Sequence, residues 1–102
     1  MNIHNPAHPG ELLTGWLDDL SVNVTGFAAY IGISRGMLSH VLHGHAAVSV
    51  DMDLRLSEAL GTTAGYWLAL QTQKELWTAR QTAKDRKRIK RMAVPKSLAA
   101  NE

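Results

Sequence analysis

The run "TGFAAYIGISRGMLSHVLHG", positions 25–44, is the strongest constraint on the fold. Apolar residues recur at helical spacing on both sides of a joint only three residues long, Gly32-Ile33-Ser34. So short a joint forces two helices to cross steeply. Phe27, Ala28 and Ile31 form the inward stripe of the first, and Leu38, Val41 and Leu42 that of the second. Ala28 is small enough for the second helix to pass close over it. Gly32 suits a turn that needs positive φ, and Ser34 suits the cap of the helix that follows. This is the helix-turn-helix pattern, whose second helix enters the DNA major groove N-terminus first.

The flanks read as helices too. "PGELLTGWLDDL" puts Leu12, Leu13, Trp16, Leu17 and Leu20 on one face behind Pro9, a good first-turn residue. Thr25 is expected to cap the second helix and Gly44 to end the third. Ser49 is expected to cap a fourth, "VDMDLRLSEALG", with Met52, Leu56, Ala59 and Leu60 inward and Asp51 and Asp53 in the dipole-favoured first turn. Thr63 is expected to cap a fifth, from about 64 to 80. The expected fold is all-α: a five-helix helix-turn-helix domain over 1–80, then a basic C-terminal tail over 81–102, partly disordered or a short helix.

Charge sharpens that division. Residues 1–79 carry three Lys and Arg against seven Asp and Glu, 3 − 7 = −4; residues 80–102 carry eight against two, 8 − 2 = +6. An acidic body that engages DNA must use a local patch. The tail can add phosphate contacts, or fold onto a partner. With no cysteine, a disulfide framework and a Cys-ligated zinc site are excluded, and a cytoplasmic setting fits. No signal peptide is visible at the N-terminus, and no apolar run reaches membrane-spanning length.

His40, His43 and His45 cluster within six positions. No cysteine joins them and the nearest carboxylate in sequence is Asp51, so neither a metal site nor a catalytic centre is expected. The better reading is a DNA edge. Arg35 can bond guanine bidentately or hold a phosphate, and Ser39 and His40 follow one turn on. His43 and His45 would border the backbone and bind it more tightly when charged. With Thr25, Ser34 and Gly36, these form the expected DNA-binding set. A Glu11–Arg55 pair is expected to tie the first helix to the fourth. Tyr66, Leu70 and Trp77 are the expected dimer contact, since large aromatics anchor interfaces well, and Trp67 is expected in the core.

"HPGELL" at 8–13, the helix-turn-helix at 25–43, "SVDMDLRLSEALGTT" at 49–63 and "YWLALQ" at 66–71 fall in one order and spacing. Together they resemble the HigA/VapI-type antitoxins within the Xre/Cro/C1-like (lambda-repressor-like) helix-turn-helix class, over roughly residues 6–80. The resemblance implies a homodimer that binds a palindromic double-stranded operator before its own operon and silences a HigB-like mRNA-cleaving toxin. The family often carries a long polar residue, commonly Gln, where this chain has Gly36; that removes one base contact. Two other readings remain: a helix-turn-helix regulator without a toxin, and an RNA-binding or protein-interaction module using the tail. No nucleophile, metal set, phosphate loop or cofactor motif speaks for an enzyme.

Overall fold

The computed structural model describes residues 5–99. The elements are α1 Pro9–Leu20, α2 Val24–Ile31, α3 Arg35–Leu42, α4 Val50–Leu60, α5 Tyr66–Ala83 and a single turn, α6, at Lys96–Ala99. The all-α expectation is met, with α6 added to the five. Among the described residues no helix is long and apolar enough to cross a membrane.

Three of the expected boundaries hold. Ser34 Oγ accepts from Met37 N at 3.1 Å and Ser49 Oγ from Met52 N at 3.1 Å, each satisfying an orphan first-turn donor. Gly32 closes α2 at φ +78°, the left-handed conformation its position requires. Two caps differ. Asn23, not Thr25, caps α2: its Oδ1 accepts from Gly26 N at 2.7 Å, and α2 already includes Thr25. Thr63 does not cap α5. Gly65 precedes the helix with no side chain to offer, and the acceptor comes from α4 instead. Asp53 Oδ2 accepts from Gly65 N at 2.6 Å, while Oδ1 accepts from Trp67 N at 2.9 Å and Leu68 N at 3.2 Å. The carboxylate is 1% exposed.

The core joins Leu13 and Leu17 of α1, Phe27, Ala28 and Ile31 of α2, Leu38, Val41 and Leu42 of α3, Val48, Met52 and Leu56 of α4 and its approach, and Trp67 of α5. Trp16 lies edge-on to Trp67 with ring centroids 6.4 Å apart. The α1 stripe is narrower than its spacing suggests: Leu12 and Leu20 are exposed. On α4, Ala59 and Leu60 are only half-buried. Gly10 fixes how α1 meets α3. A Cβ there would run into the carbonyl oxygens of Val41 and Leu42, so only glycine lets the two backbones touch.

The expected Glu11–Arg55 tie is not made. Glu11 turns back to its own helix start, with Oε1 accepting from His8 N at 3.3 Å and lying 3.5 Å from His8 Nε2, completing a capping box. Arg55 instead bonds Asp51 Oδ2 at 2.8 Å, and its Nη1 donates to Ile31 O at 2.7 Å and Gly32 O at 3.2 Å. The guanidinium thus satisfies the orphan carbonyls at the end of α2, where the sequence offers no basic residue within the helix itself.

Candidate nucleic-acid interface

α3 shows its core with Leu38, Val41 and Leu42 and turns Arg35, Gly36, Met37, His40 and, just past its end, His43 to solvent. No residue from 33 to 47 is acidic, so this face offers phosphates no repulsion despite the negative body. Of the first-turn backbone N–H groups of α3, that of Met37 is taken by Ser34 Oγ.

Thr25 has a role other than the expected one. Arg35 Nε donates to Thr25 Oγ1 at 3.0 Å, across ten residues of chain. The hydroxyl of α2 holds the arginine by its Nε and leaves the two terminal nitrogens available, the fork that guanine or phosphate accepts bidentately. Thr25, Ser34 and Arg35 therefore come together at one end of α3. Gly36 lies open beside them; a Cβ there would meet nothing within 4 Å.

The histidines gather at the other end. His43 Nδ1 lies 2.8 Å from Ser39 O. A carbonyl can only accept, so Nδ1 is the donor in this contact. Ser39 Oγ is 3.4 Å from the same ring and is half-buried, so it offers less surface than Arg35 or His40. The ring of His45 lies 6.2 Å from that of His40 and 6.3 Å from that of His43. Among the described residues, no group of three or more His, Cys, Asp or Glu side chains is placed to hold a metal ion.

Two residues beside this face went unnoticed in the sequence. Met37 is 48% exposed in the first turn of α3, an apolar tip among polar neighbours. Its position three residues after Ser34 was a legible signal. His8 was not: a Cβ on Gly44 would lie 3.2 Å from its Nε2, so the α1 cap underlies the loop that follows α3. No spacing rule connects residues 8 and 44.

The expected dimer residues spread along α5. Tyr66 is exposed and stands edge-on to Trp67, with centroids 5.2 Å apart. Leu70 is half-buried against the core. Trp77 is half-buried, with Lys74 Nζ 5.5 Å from its ring centroid.

No family model matches the chain. It is 34% identical over 86 residues to virulence-associated protein A' of Dichelobacter nodosus, covering 83% of this chain and 75% of that one. It is 33% identical over 92 residues to the HTH-type transcriptional regulator YddM of Escherichia coli K12, covering 90% and 97%. Among solved structures, a candidate antidote protein of a plasmid maintenance system from Nostoc punctiforme superposes with a TM-score of 0.77 at 39% identity, covering 80% of this chain and 90% of that one. The Pseudomonas aeruginosa antitoxin HigA, solved with the higBA promoter, superposes with a TM-score of 0.74 at 27% identity, covering 78% and 88%. The chain belongs to the HigA-type helix-turn-helix antitoxins. In this member of the HigA type, α3 carries Gly36 and Met37 in its first turn and histidines toward and just past its end.

Proposed function

We propose that this protein is a cytoplasmic antitoxin that binds its operator as a homodimer through α3, represses its own operon and neutralises a HigB-like toxin. The observation that carries the DNA reading is the Thr25–Arg35 bond. It pre-orients the arginine at the leading end of an exposed helix free of acid, and fixing a side chain beforehand lowers the entropy cost of contact. Arg35 reads a base or phosphate, Met37 rests on a thymine methyl, His40 meets a base edge or phosphate, and His43 and His45 line the backbone. Tyr66, Leu70 and Trp77 form the contact between protomers, and residues 81–102 form a tail outside the DNA-reading domain of 1–80. No catalytic step belongs to this reading.

The test is an anisotropy titration against the protein's own promoter duplex and a scrambled control at two salt concentrations. Arg35→Ala combined with His40→Ala is expected to lose promoter preference while helicity and dimer mass are kept. Unchanged affinity for the promoter would remove α3 from the reading. A second reading, a regulator without a toxin, is favoured by the similarity to YddM, a transcriptional regulator that the chain spans almost entirely. Co-expression with the adjacent small open reading frame separates the two: rescue of growth supports the antitoxin.

A further inference from the structure

Between the end of α1, α2 and α4 lies a groove with one mainly apolar hollow and one more polar hollow. Leu20 and Val22 at the end of α1, Tyr30 of α2, and Leu54 and Leu60 of α4 line two adjoining hollows of about 510 and 550 Å³ that share Tyr30 and Ala59. Tyr30 is 79% exposed. On its polar side Asp51 pairs with Arg55 at 2.8 Å, which leaves Glu58 as the net charge of the lining, and Asp18 and Asp19 precede Leu20 in the chain.

The tail has the opposite character. From 84 to 91 it holds six basic residues and one acid, 6 − 1 = +5. Within that run and just after it stand Ile89 and Met92, each 80% exposed. A segment serving only phosphates has no use for two large apolar side chains there. The combination of apolar tips and basic flanks fits a groove with one apolar hollow and a net negative edge.

The groove that the tail fills cannot be its own. α5 runs back along α1, with Trp67 beside Trp16 and Lys74 Nζ bonding Asn5 Oδ1 at 2.7 Å. It therefore carries the root of the tail about 24 Å beyond Trp67, at 1.5 Å per helical residue, and away from the end of α1 that borders the groove. Ile89, six residues past Ala83, reaches about 21 Å at full extension, short of the distance back, while Met92, nine residues past, reaches about 31 Å, so only a second copy's groove can take the two side chains together. We propose that the basic tail of one copy docks, through Ile89 and Met92, in the α1–α2–α4 groove of a second copy. Reciprocal exchange fills both grooves and closes the pair by two-fold symmetry. The inference does not depend on DNA binding by α3.

The chain has no cysteine, so single cysteines report placement cleanly. The Leu54→Cys variant and an affinity-tagged Arg88→Cys variant are purified separately, mixed, and treated with a short bis-maleimide. The expected result is a tagged–untagged covalent dimer, formed at least fivefold more than when Glu11→Cys replaces Leu54→Cys. It should fall several-fold with added Glu58→Arg, and with Ile89→Asp plus Met92→Asp, while circular dichroism is unchanged. Equal linkage to the Glu11→Cys control, no linkage, or linkage only within one Leu54→Cys/Arg88→Cys chain would overturn the proposal. So would a tail that links nowhere in the free protein while truncation after Ala83 lowers affinity and salt dependence toward duplex DNA, which would assign it to phosphates.

Discussion

Asp53→Ala tests how α5 is held. In the native chain one buried carboxylate serves three backbone donors, of which Trp67 N is buried and Gly65 N and Leu68 N are partly so. Removing the acceptor strands the Trp67 donor beside a fully buried indole, at about 1–3 kcal/mol. The two partly exposed donors can recruit water and cost about 0.5–1 kcal/mol each. The sum is about 3 kcal/mol. For a domain of this size that lowers the melting temperature by roughly 12–24 °C. Asp53→Asn keeps the shape and one oxygen but turns an amide NH2 toward one of the donors, so about half of that loss is expected. Asp51→Ala, two residues away and exposed, is the control: an i,i+4 surface pair with Arg55 contributes about 0.5 kcal/mol. Thermal melts followed at 222 nm, with urea titrations for the free energies, read all three. If Asp53→Ala melts within about 3 °C of the unsubstituted protein, the carboxylate is not what fixes α5, and the account of that helix fails.

Other outcomes follow from the same contacts. Gly10→Ala and Gly15→Ala lie on one helix and should move stability in opposite directions in the same melts. The first forces α1 off the α3 carbonyls and should cost more than 2 kcal/mol, while the second meets nothing and should gain about 0.5–1 kcal/mol from helix propensity. Asn23→Ala should lose about 1 kcal/mol as a missing cap. Thr25→Ala should leave the melting temperature within about 2 °C yet weaken promoter binding several-fold, because its hydroxyl holds Arg35 rather than a helix end. Arg55→Met should cost about 1–2 kcal/mol in urea titrations by leaving the Ile31 and Gly32 carbonyls without their donor.

Most of the exposed face of α3 could be read in the sequence because it is local. Arg35, Gly36, His40 and His43 share a face by helical period alone, and the three-residue joint orients that face. Met37 was within the same reach. What escaped was the link from Thr25 to Arg35, because a short side chain at a helix start reads equally well as a cap. His8 beneath Gly44 escaped because it joins segments 36 positions apart, 44 − 8.

The sequence by itself determined where helices begin and end when cap and helix are neighbours in the chain: Ser34, Gly32 and Ser49 act within a few residues of what they cap, so their chemistry is legible without knowing the fold. Tertiary structure alone decided that Asp53, and not Thr63, caps α5, that Arg55 closes α2 rather than meeting Glu11, and that Gly10 must be bare. In each of these the acceptor, donor or colliding atom is brought by a different helix. A charged or vacant side chain has several suitable partners along the chain, and only the packing of the core selects which of them comes within 3 Å.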